Sequence, residues 1–170
     1  MNIETPIHNT EHTFLLWYQS HSDGIFRFCF LKTSNRDVAL DITQETFTKM
    51  WEYIGQKNDP IREPKALLYR IATNLIIDYY RKKKSDSLDA MTEYGFDIAT
   101  NLISPDKAAE VKELYTKLSR LEDKYKDILI MRFVEDMSIE EIAEVYDQHP
   151  NTISVRIHRA VEKLKSIYTL

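Results

Sequence analysis

Chain breakers are scarce: the 170 residues hold three glycines and five prolines. Pro6, Pro60, Pro64, Pro105 and Pro150 all fall between stretches of helical periodicity, where a proline punctuates a helix and does not kink it. No run of strand-type alternation is bounded by hairpin turns, which argues against a meander or sandwich. The single cysteine, Cys29 in FRFCFLK, has no partner for an internal disulfide and reads as a small buried thiol in a reducing compartment. No apolar run approaches the ~18 residues that a membrane span needs. The opening MNIETPIHNTEH lacks the basic start and apolar core of a secretion signal. What remains is an all-α chain, expected to be soluble, cytoplasmic and not inserted in a membrane.

What the sequence does have is charge, unevenly placed. The net of −4 divides into +2 over residues 1–84, −9 over 85–148 and +3 over 149–170. Two basic ends around an acidic middle suit contact with a polyanion while the whole stays acidic. Helical periodicity covers about 10–33, 35–55, 65–84, 107–120, 122–134, 138–146 and 150–167. It fails between 84 and 107, where SDSLDAMTEYGFDIATNLISPD shows no sustained face. The expected organisation is two small helical domains, 1–85 and 107–170, joined by a flexible acidic linker at 86–106.

Three stretches carry functional chemistry. In LYRIATNLIIDYYRKKK, Leu68, Ala72, Leu75, Ile76 and Tyr79 share a core face. Arg70, Asn74, Asp78 and Arg81 line the opposite side, and Lys82, Lys83 and Lys84 follow. Terminal cations would suit the helix dipole in any case. Arginine and asparagine, however, are the side chains that offer paired hydrogen bonds to base edges, and arginine and lysine hold phosphates.

In DVALDITQETFTKMWEYI, Ala39, Thr43, Phe47, Met50 and Ile54 make the core face, and Asp41, Gln44, Glu45, Thr48 and Glu52 the polar one. Such an acidic arc faces either solvent or a basic partner. With no Glu-x-x-His pair and no His-Glu-x-x-His, a metal or catalytic site has no support, and no cofactor is expected.

In SIEEIAEVYDQHPNTISVRIHRAVEKLK, Ser138 and Glu141 form a capping box, YDQH a short turn, and Pro150 opens a second helix. Ile153, Ile157, Ala160, Val161 and Leu164 point inward. Asn151, Ser154, Val155, His158, Arg159 and Glu162 share the outward face, flanked by Thr152, Arg156 and Lys163. Two short helices across a tight turn, the second bearing small polar residues and arginines, make a DNA-reading helix-turn-helix.

Taken together and in this order, ALDITQETF, ALLYRIATNLIIDYYRKK and LSRLEDKYKDILIMRFVEDMSIEEIAEVYDQHPNTISVRIHRAVEKL resemble the extracytoplasmic-function sigma factors of bacterial RNA polymerase, over roughly 13–85 and 107–166. The resemblance implies a non-catalytic specificity subunit that directs promoter-specific initiation. Asp41, Gln44, Glu45 and Thr48 would dock on the clamp helices of the large subunit of core polymerase. Arg70, Asn74, Asp78, Arg81, Lys82 and Lys83 would read and open the −10 element, with GQKNDPIREP as the specificity loop taking a flipped base. Ser154, Val155, His158 and Arg159 would read the −35 element, while Asn151, Thr152, Arg156 and Lys163 would hold phosphates. The second domain would also meet the polymerase flap, and an anti-sigma factor would restrain the chain. Asp86, Asp89, Glu93, Asp97 and Asp106 would lie in a basic polymerase channel or simply solubilise the tether.

This chain departs from the family at four positions. Asp136 and Asp147 stand where glycine is usual, Glu122 replaces a proline, and Gln148 an apolar residue. Aspartate tolerates left-handed backbone better than most residues, so both turns are expected to hold. Gln148 implies a more loosely packed turn. Three other classes compete. A self-sufficient repressor would leave the first-domain stripe and arc unexplained, a metalloenzyme lacks its ligand pairs, and a structural adaptor has no need of Arg and Asn at these spacings.

Overall fold

The computed structural model describes residues 7–56, 61–86, 113 and 116–168, and every described element is helical. Three long helices form the first half: α1 (Ile7–Thr33), α2 (Arg36–Gln56) and α3 (Pro64–Asp86). After a helical turn at 116–118 come α4 (Asp123–Leu129), a π-helical turn (Ile130–Val134), α5 (Ile139–Tyr146) and α6 (Pro150–Tyr168). The all-α, two-part expectation holds, and helix ends agree to within a few residues, the usual scatter for frayed termini. Residues 57–60 of the loop before α3 lie outside the described residues. So does 87–112, with Asp89, Glu93, Asp97 and Asp106, so the linker expectation and most of the 107–120 helix fall there too.

The first half buries the faces its periodicity implies. Ile25, Phe28 and Cys29 of α1 meet Ala39, Phe47 and Met50 of α2 and Leu68, Ala72 and Ile76 of α3. Burial pushes the Cys29 thiol up to about 12, so it sits as an inert apolar group. Thr43 and Thr46 are buried because their hydroxyls donate back to the Ala39 and Ile42 carbonyls at 2.6 and 2.7 Å. Arg36 follows a sharp stop to α1, where Ser34 takes a positive φ of 56° and its N–H reaches the Phe30 carbonyl at 2.8 Å.

The second half differs from its sequence reading in one place. A single helix over 122–134 was expected, yet the chain widens after Leu129 and the Glu135 N–H reaches back to the Ile130 carbonyl at 3.0 Å. Ile128, Leu129, Ile130 and Met131 are all buried, and four consecutive core residues cannot share one face of a regular helix. The wide turn re-aims them. It also leaves Phe133 63% exposed and carries Glu135 into the interior.

Candidate nucleic-acid interface

The helix-turn-helix assembles as its local chemistry dictates. The Glu141 N–H donates to the Ser138 hydroxyl at 3.0 Å, and the Ser138 N–H donates to the Glu141 carboxylate at 2.7 Å, closing the capping box. At the far end of α5, Asp147 is left-handed at φ 52°, and the Gln148 N–H bonds the Ala143 carbonyl at 3.0 Å. Asp136 is left-handed as well, at φ 49°. Both turns therefore hold with aspartate in the glycine positions, as expected. Gln148 stays at the surface, and its carbonyl accepts from Arg156 at 2.7 Å, tying the turn to α6.

Behind α6, Ile153 and Ala160 are buried, while Ile157, Val161 and Leu164 are half-buried. In front, Asn151, Thr152, Ser154, Val155, His158, Arg159, Glu162 and Lys163 are all exposed. Arg156 stands apart: it is half-buried, its guanidinium 5.1 Å from the Tyr146 ring centre. Its side chain thus braces the turn. Tyr125 of α4 separates two open grooves along this face. One, of about 530 Å³, is lined by Lys124, Thr152, Val155, Arg156 and Arg159 among others. The second, of about 410 Å³, runs past His158 and Lys163. Lys124 and Tyr125 were not picked out from sequence, because α4 shows no marker until its packing beside α6 is seen.

The α3 stripe is more mixed. Asn74 and Arg81 to Lys84 are exposed, and Arg70 and Asp78 are half-buried. Arg81 donates to Asp78 at 2.8 Å. Lys83 lies 6.0 Å from the Tyr79 ring centre. An Arg70 guanidinium N–H donates to the Glu144 carbonyl of α5. Ile77, 57% exposed, sits among these polar residues. Sequence reading passed over it because an isoleucine in a helix is ordinarily read as core.

On α2, Asp41, Gln44, Glu45, Thr48 and Glu52 are all exposed, forming the expected arc. Glu45 pairs loosely with Lys49 at 3.7 Å, an i,i+4 contact, and the Thr48 hydroxyl turns back to the Gln44 carbonyl at 3.0 Å. Trp51, 41% exposed, borders the arc and packs on Phe14, ring centres 5.0 Å apart. Among the described residues no cluster of His, Cys, Asp or Glu suits a metal ion.

The two halves of the chain have known counterparts. Residues 17–85 match the family described as Sigma-70 region 2, and residues 112–164 match Sigma-70, region 4, the two-part layout of an RNA polymerase sigma factor. The ECF RNA polymerase sigma factor SigW of Bacillus subtilis is 33% identical over 156 residues, covering 85% of this chain and 83% of that protein. SigV of the same organism is 32% identical, covering 85% of this chain and 84% of its own length. The chain belongs to the extracytoplasmic-function sigma factors and acts in transcription initiation. The fold is also that of two solved structures. CnrH, in complex with the cytosolic domain of CnrY, has a TM-score of 0.68 at 21% identity, covering 94% of this chain and 89% of that one. RpoE from Bartonella quintana, in complex with the anti-sigma factor NepR, has a TM-score of 0.69 at 20% identity, covering 93% and 98%.

Proposed function

We propose that this sigma factor is a non-catalytic specificity subunit, acting in the cytoplasm, whose two domains divide promoter reading between them. The first, residues 1–85, docks on the clamp helices of core polymerase through Asp41, Gln44, Glu45 and Thr48. It reads and opens the −10 element with Arg70, Asn74, Asp78, Arg81, Lys82 and Lys83. The second, residues 107–170, reads the −35 element with Ser154, Val155, His158 and Arg159, and meets the polymerase flap. Asn151, Thr152 and Lys163 sit where phosphates would pass. Arg156 belongs with them only if it lets go of Gln148 and Tyr146.

One observation carries the reading: the second helix of the helix-turn-helix presents an unbroken exposed face of small polar, cationic and apolar groups above a buried back. Such a helix fits the major groove, where phosphate contacts position and a few base contacts specify. Two weak readers in one chain become selective together once polymerase fixes their spacing, because the second contact is then made at high effective concentration. An anti-sigma partner, as RpoE has in its complex with NepR, would restrain this chain by covering such faces.

Transcription with core polymerase on a promoter library tests the reading. Arg159→Ala should cost about 1–3 kcal/mol at the cognate −35 sequence, roughly 5- to 150-fold in promoter use, with core binding unchanged. Asp41→Arg should weaken capture by core polymerase instead. Unchanged promoter selectivity in the first variant, or normal capture of the second, would remove the corresponding assignment.

A further inference from the structure

Three cations line the larger groove beside α6, and they are not equivalent. Lys124, Arg156 and Arg159 share its walls with Tyr125, Thr152 and Val155 among others, and no carboxylate is among the described residues that line it. Arg156 is engaged within its own domain: it donates to Gln148 at 2.7 Å and lies 5.1 Å from the Tyr146 ring centre. Arg159 stands on the exposed front of α6, among the residues assigned to bases. Lys124 differs from both, because it comes from α4 and not from the reading helix.

The Lys124 ammonium lies 4.9 Å from the Tyr125 ring centre and donates to the Glu122 carboxylate at 2.8 Å, with both side chains of the ion pair more than half open to solvent. Glu122 directly precedes α4, yet its side chain makes no capping bond to that helix. Its carboxyl is held below the ordinary range, first by the hydrogen bond from Lys124 and then by that cation's charge, and Lys163 of α6 adds to the effect. Lys124 is raised by the same hydrogen bond and charge, while Arg156 opposes the shift. Glu122 therefore lies in the field of two cations, one on α4 and one on α6. An ion pair this exposed is weak and screened by salt, so either member exchanges readily for another partner.

Helix size decides what Lys124 can reach. An α-helix with its side chains is about 10–12 Å across, and the major groove is about 12 Å wide. Once α6 lies in the groove it fills the width, so a side chain on a helix packed beside it is kept from the base edges. Helix α4 packs against α6, which brings Lys124 to the phosphate wall of the groove. Contacts to that wall hold the duplex and carry no sequence information.

We propose that Lys124 is a DNA-backbone contact made from outside the reading helix, and that Glu122 competes with the phosphate for it, so that this pair sets how tightly the second domain holds DNA without changing which sequence it reads. The inference rests on the −35 reading of α6, which orients the duplex, and adds to it a contact from α4 and an internal competitor. A proline at position 122, the usual family residue, would leave Lys124 without that competitor.

Promoter binding by the sigma factor assembled on core polymerase, measured across a range of salt concentrations, tests it. Lys124→Ala should weaken binding several-fold at low salt, equally for all −35 sequences. It should also lower the logarithmic salt slope by about 0.9, the contribution of one neutralised phosphate on duplex DNA. Lys124→Arg keeps the charge and should keep the slope. Glu122→Gln should tighten binding several-fold at low salt with the same sequence preference, and most of that gain should vanish once Lys124→Ala is added. Both positions are exposed, so helix content should be the same in every variant. An unchanged slope in Lys124→Ala overturns the proposal, as does a Glu122→Gln variant that binds no tighter or gains just as much without Lys124. A shifted −35 preference in Lys124→Ala would put that side chain on bases and overturn it as well. Arg159→Ala in the same assay separates this inference from the reading beneath it. If Arg159→Ala relaxes the −35 preference while Lys124→Ala is silent, the backbone contact alone fails; if both are silent, α6 does not face the −35 element and the two fall together.

Discussion

The two helices assigned to DNA, α3 and α6, are built on one plan and left in opposite conditions. Each buries an apolar back and presents arginine and asparagine in front. Yet α6 shows its reading side chains to solvent, with Arg159 exposed, whereas α3 has Arg70 bonded to the Glu144 carbonyl and Arg81 paired with Asp78. The difference follows from what each helix packs against. Among the described elements, helix α6 packs mainly on α4 and α5 of its own half, while α3 lies between α1, α2 and α5 and shares with α1 the contact between the halves. A helix-turn-helix can display its second helix because the first supplies its core. A central helix in a bundle keeps only a narrower face free, here Asn74, Ile77 and Arg81 to Lys84. One of the two proposed readers is therefore open to solvent along its face, and the other is partly occupied.

Removing the back of the ready reader should have the largest effect. Ile153 is fully buried beneath α6, and Ile153→Ala deletes three carbons from a small core. A loss of about 2–5 kcal/mol is expected for that half, which has little stability to spare. Hydrogen exchange should show α6 amides opening at least tenfold faster while amides of α1 and α2 are little changed. Equal loosening of both halves would mean that they unfold as one unit and that the contrast between the readers is only superficial.

A smaller effect is expected one helix earlier. Ser138→Ala removes the hydroxyl that receives the Glu141 N–H and opens one side of the capping box. The cost should be about 0.5–2 kcal/mol, read as a lower urea midpoint with an unchanged slope. Because α5 carries both α6 and the Glu144 carbonyl, fraying it should loosen the hold on Arg70 as well. An unchanged midpoint would show that packing of the buried Ile142 and Val145 suffices to hold α5.

Much of this was legible in the sequence, for local reasons. The capping box, Pro150 at the start of α6, and the aspartates at Asp136 and Asp147 announce themselves through side-chain chemistry acting within a few residues. The faces of α2, α3 and α6 follow from periodicity. What was not legible depends on distant partners. Glu135 and Arg27 stand 108 positions apart, and neither differs by type from any surface charge. Ile130 and Met131 read as one regular helix with their neighbours until four adjacent core residues force the wide turn. Ile77 and Tyr125 border the two proposed DNA faces, yet each carries an apolar signature that periodicity assigns to the core. Gly24 in mid-helix likewise needs close neighbours to explain it, and a Cβ there would lie 2.9 Å from both Glu135 Oε2 and the Tyr69 hydroxyl.

The smallest effect belongs to the occupied reader. Arg81 and Asp78 form an exposed i,i+3 pair, with side chains 76% and 48% open to solvent. Such pairs contribute about 0.2–0.5 kcal/mol, so Arg81→Ala should leave thermal stability within about 2 °C of the parent. Its consequence should appear only on DNA. If Arg81 exchanges the Asp78 carboxylate for a backbone phosphate, the variant loses one released counterion. The dependence of promoter binding on salt, measured with the sigma factor assembled on core polymerase, should then fall by about 0.7–0.9 in its logarithmic slope. Lys82 and Lys83, next along the helix, would keep the rest of that dependence. A slope identical to the parent's would leave Arg81 as a partner of Asp78 alone, and would confine the −10 stripe to Arg70, Asn74 and the lysines beyond.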